Sequence, residues 1–238
     1  MKLAIFDVDG TLLDNLAGED ACYAAAIREG LGLTELDTNW RTYEHISDEG
    51  VAIEAYQRAF GVRPTQRQLT ATIDRFLTLL ADAHAREPLV PVAGAATTLA
   101  VLPTRGWSVA LATGAWGRAA RFKLAAAGFV VDSVPLATAE DGPGRVAITR
   151  VAYARAVASR DDTASSAMPF EQVVLVGDAV WDVATARALK MPFVGRAEGA
   201  RAEQLTTSGA GSVLSDFTHL DVVLARFESA VVPRDVVP

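Results

Sequence analysis

Two aspartates separated by one residue follow a short apolar run at the start of the chain. Residues 3–6 predict a buried strand, and Asp7, Asp9 and Gly10 come directly after it. Residues i and i+2 of a strand point the same way, so we expect Asp7 and Asp9 to converge at its carboxyl end. Two carboxylates that close repel each other unless a cation lies between them, which favours a divalent metal site. A strand that simply ends in an Asp-Gly turn is the alternative interpretation.

A second acidic pair follows another apolar run. Residues 173–176 predict a strand, Asp178 lies just beyond it, and Asp182 falls one helical turn later on the same face. Alternatively, Asp178 is the N-cap of the next helix and Asp182 interacts with the helix dipole. Four carboxylates at one sheet edge are too unfavourable to remain unpaired, so two such turns in one chain favour a bound Mg²⁺.

The composition excludes several classes of protein. The chain has 238 residues, 50% of them hydrophobic, which is enough for one large domain or two unequal ones. The net charge is -7 and no run of Lys or Arg occurs, so nucleic acid is not an expected partner. Cys22 is the single cysteine, which excludes an internal disulfide and a cysteine metal cluster.

The same features indicate the compartment. The N-terminus lacks the pattern of a signal peptide, and no apolar stretch reaches about 18 residues, so no membrane partner is expected. A single cysteine also fits a reducing cytosol. We therefore expect a cytoplasmic protein. Its oligomeric state is unreadable from sequence, because an amphipathic helix looks alike whether it covers its own core or a partner.

Short apolar runs alternate with longer amphipathic ones, which is the pattern of an α/β protein with a Rossmann-like, doubly wound parallel sheet. Thr113 and Gly114 follow one of these runs in the same way as the two acidic pairs follow theirs. The carboxyl ends of parallel strands line up along one ligand-binding edge, so we expect these turns to meet in one cleft. The expected strands are residues 3–6, 108–112, 133–136, 173–176 and 193–194, with a further short strand at 212–214.

Residues 15–87 interrupt this alternation without any strand pattern. We expect them to form a small all-helical cap inserted after the first strand, over a core made of residues 1–14 and 88–238. Residues 159–169 are expected to form a surface loop and residues 229–238 a loose tail. The clearest helix of the cap has apolar residues at helical spacing, namely Leu69, Ile73, Phe76, Leu77 and Leu80.

Taken together, these motifs resemble those of the haloacid dehalogenase-like hydrolases, most of which are magnesium-dependent phosphatases. The resemblance runs over nearly the whole chain. It implies that Asp7 is the nucleophile that takes the phosphoryl group, and that Asp9 is the acid that protonates the leaving oxygen and later activates water. It also implies metal ligands from the side chains of Asp7 and Asp178 and the backbone carbonyl of Asp9, in a set completed by Asp182. Its anchors are the segment from Asp7 to Thr11, the Thr113 turn, a basic residue, and Gly177-Asp178 with Asp182.

The family also carries a Lys or Arg that balances the charge of the nucleophile and the phosphate. Arg145 occupies the corresponding place, and we prefer it to Lys123, for which a solvated helix charge is the alternative. Lys123 is retained as a substrate-binding candidate.

Two further candidates bind the substrate on this interpretation. Thr113 offers a hydroxyl, and Thr113 and Gly114 offer backbone N–H groups, to a phosphate oxygen, although an ordinary Thr-Gly turn is the alternative. Family members often place Asn shortly after this Thr, where this chain has Ala115 and Trp116. His45 lies in a polar segment that resembles a cap loop facing the active site in some relatives.

The expected function is magnesium-dependent hydrolysis of a small phosphorylated metabolite through an aspartyl-phosphate. Two alternatives are a phosphoglucomutase-like phosphoryl transferase and a non-catalytic binding protein that retains the fold. The intact acidic set argues against the binding protein. Dehalogenation is disfavoured because halide displacement does not use the acid that Asp9 supplies. No motif identifies the substrate.

Overall fold

One sheet of six parallel strands organises the part of the chain that the structure, a computed structural model, describes: residues 1–14, 18–160 and 169–235. The spatial order is β3-β2-β1-β4-β5-β6, so the chain reverses its direction of growth between β1 and β4. Ligands bind beyond the carboxyl ends of the strands at such a point. The strands are β1 Lys2–Phe6, β2 Trp107–Ala112, β3 Leu136–Ala137, β4 Val173–Gly177, β5 Phe193–Arg196 and β6 Val213–Leu214.

Strand register brings the predicted turns to the same edge. Phe6 is paired with Leu111 of β2 on one side and with Val176 of β4 on the other. Because all three strands are parallel, Asp7, Thr113 and Asp178 leave the sheet within about one residue of the same level. The predicted convergence of sequence-distant turns is therefore confirmed.

Helices cover both faces of the sheet, which is why its strands are continuous apolar runs. One face packs against α4, α5 and α9, and the other against α6, α7 and α8. The described helices are α1 Glu19–Leu31, α2 Asp48–Phe60, α3 Gln66–Arg86, α4 Ala95–Val101, α5 Gly117–Ala126, α6 Gly144–Ala158, α7 Val180–Leu189, α8 Gly199–Thr207 and α9 Leu220–Glu228.

Helices α1 to α3, here called the helical insert (residues 18–87), lie between β1 and α4 in the chain. The predicted helix is α3, and its buried positions include Leu69, Ile73, Phe76 and Leu80. The insert has its own apolar cluster, but Trp116, Ala119 and Ala139 from the sheet region belong to the same cluster. The insert is thus packed onto the edge of the sheet. None of the described helices is both long and apolar enough to cross a membrane.

Two local predictions were wrong. The third strand forms at Leu136–Ala137 and not at residues 133–136, because a turn closed by a hydrogen bond from Val134 N–H to the carbonyl of Val131 precedes Pro135. Residues 229–235 do not form a loose tail, since Phe193 N–H donates to the carbonyl of Val231 at 3.0 Å. Residues 161–168 of the predicted surface loop lie outside the described residues, as do residues 15–17 and 236–238.

Candidate active site

Three of the predicted carboxylates form a cluster between the ends of β1 and β4. Asp7, Asp178 and Asp182 each place a ligand oxygen within 4.8 Å of the others, and all three side chains are buried. The side chain of Asp9 lies outside this cluster and faces Lys123. The alternation expected of a strand stops at Phe6, where β1 ends, so Asp7 and Asp9 do not share one partner.

Glycines make room for these carboxylates. Gly10 has φ of 81°, a left-handed conformation, and a Cβ at this position would collide with the carboxylate of Asp178. A Cβ on Gly177 would collide with the side chain of Asp182. Gly10 therefore permits the close approach of the two acidic turns, and Gly177 permits Asp182 to pack back against its own turn.

Short polar contacts orient the acids within the cluster. The hydroxyl of Thr11 donates to Asp7 Oδ2 at 3.3 Å. Ala179 is the N-cap of α7, and its N–H donates to Asp182 Oδ2 at 3.0 Å. The alternative in which Asp178 caps this helix is therefore wrong, and Asp182 satisfies the helix N-terminus in its place.

Burial and mutual repulsion dominate the electrostatics of the cluster. Burial, then the charge of Asp182, raises the pKa of Asp7 to about 7, although Arg145 opposes the shift. Burial and Asp7 likewise raise the pKa of Asp178 to about 7, and burial raises that of Asp182 to about 6. The carboxylates thus hold more negative charge than the protein's own cations balance.

We expect the metal-free protein to lose stability as the pH rises from about 4 to about 7. The folded state binds protons at these carboxyls more tightly than the unfolded chain does, so deprotonation across this window favours unfolding. Thermal denaturation in EDTA at about pH 5 and about pH 7.5 measures the effect. A higher Tm at the higher pH would contradict the prediction, and added Mg²⁺ should raise the Tm most at the higher pH.

Arg145 is the cation that contacts Asp7. Its Nη1 lies 2.7 Å from Asp7 Oδ1 and 3.9 Å from Asp182 Oδ1, while its Nε donates to the carbonyl of Ile46 at 3.1 Å. A Cβ on Gly114 would collide with the guanidinium, so glycine in the β2 turn admits it. Of the two candidate cations, Arg145 is therefore the one beside Asp7.

Lys123 is not the solvated helix charge of the alternative interpretation. Its side chain is 1% exposed, and its Nζ lies 2.5 Å from both Asp9 Oδ1 and Glu19 Oε1. Burial alone would lower the pKa of Lys123, but the carboxylates of Asp9, Glu19 and Asp48 together raise it. The two candidate cations are therefore not rivals, because Arg145 contacts Asp7 and Lys123 contacts Asp9.

The turn after β2 is less open than expected. Thr113 is buried, its N–H donates to the carbonyl of Ala137, and its hydroxyl oxygen accepts the N–H of Ala115 at 3.0 Å. The N–H of Thr113 is therefore already used within the protein. Within the described part of the chain, the Thr113 hydroxyl accepts this hydrogen bond and donates none, and Gly114 lines the cavity described below.

Asp48 of the helical insert holds the insert against this turn. Its N–H donates to the carbonyl of Gly114 at 2.7 Å, and its Oδ2 accepts the N–H of Trp116 at 2.9 Å. The hydroxyl of Tyr23 donates to the carbonyl of Asp48 at 2.6 Å. Burial raises the pKa of Asp48 to about 7.

A cavity of about 540 Å³ lies between the insert and the sheet edge. Asp9, Lys123, Arg145 and Asp178 line its inner end. His45 does not line it, because its side chain lies beside Gly144 and its Nε2 is 4.0 Å from Glu44 Oε1. The geometry thus gives no support to His45 as a substrate-binding residue.

Sequence reasoning missed three residues at this site. Glu19 and Asp48 come from the helical insert, and Arg201 on α8 pairs with Asp178. Asp48 lies in the same polar segment as His45, which resembles a cap loop facing the active site, whereas Glu19 and Arg201 stand in no recognised motif. Their charge became informative only once packing had brought them beside the acidic turns.

Comparison with known proteins agrees with this arrangement. The chain is 30% identical over 232 residues to the phosphoglycolate phosphatase of Rhodospirillum rubrum. The aligned region covers 92% of this chain and 89% of the relative. A hydrolase from Pseudomonas syringae has a similar structure, with a TM-score of 0.66 at 20% identity over 94% of this chain and 99% of that one. The structure of CbbY from Rhodobacter sphaeroides, solved in complex with phosphate, is also similar, with a TM-score of 0.63 at 18% identity. The match covers 92% of this chain and 95% of CbbY.

The family model described as a haloacid dehalogenase-like hydrolase matches residues 1–190, which include both acidic turns, the Thr113 turn and Arg145. The match covers most of the chain and every residue described above at the site except Arg201. The chain therefore belongs to the haloacid dehalogenase-like hydrolases.

Proposed function

We propose that the protein is a magnesium-dependent phosphatase that hydrolyses a small phosphomonoester through an aspartyl-phosphate on Asp7. The observation that carries the proposal is the pairing of two neighbouring aspartates with two different cations beside the cavity, whose lining includes Asp9, Lys123 and Arg145. Asp7 has Arg145 on one oxygen and Thr11 on the other, while Asp9, two residues on, has its own cation in Lys123. Two neighbouring aspartates in different environments are suited to two different roles.

The donor set fits Mg²⁺. Asp7, Asp178 and Asp182 offer hard carboxylate oxygens near one another, and burial together with mutual repulsion raises the pKa of each, so a cation bound between them would stabilise their charged forms. The backbone carbonyl of Asp9 completes the set on the family resemblance. When bound, the metal neutralises the repulsion between Asp7 and the phosphate.

The protein's own groups carry the bond changes. An oxygen of Asp7 forms a bond to phosphorus as the ester P–O bond breaks, and Asp9 gives its proton to the leaving oxygen. Asp9 then takes a proton from the water that attacks the phosphorus of the aspartyl-phosphate, which releases phosphate and restores Asp7. Arg145 and the Thr113 hydroxyl hold the phosphoryl oxygens.

We also assign residues 15–87 as a cap and residues 1–14 with 88–238 as the core. The hydrogen bonds of Asp48 to the β2 turn and the ion pair of Glu19 with Lys123 support this division, since both join the insert to the cavity. The name of the Rhodospirillum rubrum relative supports a small phosphorylated metabolite as substrate.

A panel of phosphate esters tests the proposal. We expect the purified protein to release inorganic phosphate in the presence of Mg²⁺ and to release none in EDTA, because the negative charge around Asp7 would otherwise repel the phosphate. Delivery of the phosphoryl group to a sugar rather than to water would indicate a transferase. Absence of turnover with every ester would favour a binding protein.

A further inference from the structure

The wall that the helical insert contributes to the cavity is acidic. Glu19, Asp20 and Asp48 line it, and Arg41 is its single cation among the described residues that line the cavity. Glu19 faces Lys123, but this ammonium is shared with Asp9 at the same distance of 2.5 Å. The insert wall thus carries three acidic side chains and one basic one, so an excess of negative charge remains even though burial raises the pKa of Glu19 and of Asp48.

The opposite wall does not compensate for this excess. Arg145 pairs with Asp7, and Arg201 pairs with Asp178. Both arginines therefore balance charge of the acid cluster, at the end of the cavity where we place the phosphate. A second anionic group of a substrate, placed away from the phosphate, would meet the carboxylates of the insert and the exposed Arg41.

Aromatic rings also contribute to the insert wall. Tyr23 and Trp40 contact each other with ring centroids 5.4 Å apart, and both line the cavity. Their polar groups are used inside the insert, because the Tyr23 hydroxyl donates to the carbonyl of Asp48 and Trp40 Nε1 donates to Asp20 Oδ1. What they offer to a ligand is ring surface, which accepts neutral groups and attracts cations.

We propose that this wall selects phosphomonoesters whose organic part is neutral or carries an amine, and that it discriminates against a second negative charge such as a carboxylate. The inference rests on the proposed phosphatase function and names its substrate class. It also sets this chain apart from its relative in Rhodospirillum rubrum, which is named for phosphoglycolate. One uncompensated charge at about 8 Å corresponds to a preference of about two- to thirtyfold, depending on the local permittivity.

Three esters of similar size test the inference: phosphoethanolamine, 2-hydroxyethyl phosphate and phosphoglycolate. We expect kcat/KM with Mg²⁺ to fall in that order. The Asp20→Asn variant keeps the acceptor for Trp40 Nε1 and removes one charge, so it should raise the ratio of kcat/KM for phosphoglycolate to that for 2-hydroxyethyl phosphate by about twofold or more. Comparing variant with native protein cancels the intrinsic reactivity of the esters.

Two further variants sharpen the test. Arg41→Gln should lower the same ratio, because it removes the cation of the wall. Asp82→Asn removes an equal charge from an exposed position of α3 that does not line the cavity, so it should leave the ratio unchanged. A native preference for phosphoglycolate over both other esters overturns the inference, as does an unchanged ratio in Asp20→Asn.

A failure of the proposed phosphatase function can be distinguished from a failure of this inference. If no ester is hydrolysed, the phosphatase assignment falls, and the selection is measured instead by calorimetric binding of the three esters to the native chain with Mg²⁺. The same order of affinity supports the inference, and equal affinities or the reverse order overturn it.

Discussion

The Asp7→Asn variant should lose phosphate release by at least about a thousandfold, because the amide keeps the shape of the side chain but removes the attacking charge. The loss should appear in kcat, with saturating ester and Mg²⁺. A radiolabelled phosphate ester should label the native chain transiently and leave the variant unlabelled. Turnover near the native rate would remove Asp7 from the role of nucleophile.

The fold should survive this substitution. The raised pKa of Asp7 shows that its negative charge is unfavourable in the metal-free protein, so a neutral amide relieves repulsion from Asp182. The Tm in EDTA near neutral pH should therefore be no lower than that of the native chain. Asp14→Asn is the matched control, since Asp14 is half-exposed and pairs with Arg196 outside the proposed machinery.

The Lys123→Met variant should lose about 3–5 kcal/mol of unfolding free energy near neutral pH, as expected when one partner of a buried ion pair is removed. Methionine fills a similar volume but leaves Asp9 and Glu19 without their cation. The loss should be smaller at about pH 5, because burial raises the pKa of Glu19 and its carboxyl takes up a proton more readily there. Urea denaturation at the two pH values measures it.

Two comparisons separate this effect from a general loss of packing. The double variant Lys123→Met with Glu19→Gln should recover part of the stability, because one of the two stranded charges is gone. Lys2→Met removes the half-exposed pair with Glu228 and should cost no more than about 1 kcal/mol. An equal loss in Lys2→Met, or no recovery in the double variant, would contradict the buried-pair explanation.

The burial and the partners of Lys123 could not be predicted from the sequence. It lies on an ordinary amphipathic helix, and its partner Glu19 is 104 residues away in the helical insert. Nothing in the local pattern distinguishes it from a solvated charge, so by sequence alone Arg145 and Lys123 are rivals for one role. Only the packing of the insert onto α5 makes Lys123 a buried cation with two carboxylate partners.

The sequence by itself determined the sheet, the acidic turns that follow β1 and β4, and the helical insert between β1 and β2. These features depend on short-range rules: apolar runs make buried strands, glycine permits tight turns, and parallel strands end at one edge. Only the tertiary structure shows which aspartate faces which cation, and that the side chain of Asp9 lies outside the carboxylate cluster. It also brings Glu19, Asp48 and Arg201 to the site, whereas His45 does not line the cavity. The reason is that a side chain's partner depends on how separate helices pack, and that packing is set by contacts between residues far apart in the chain.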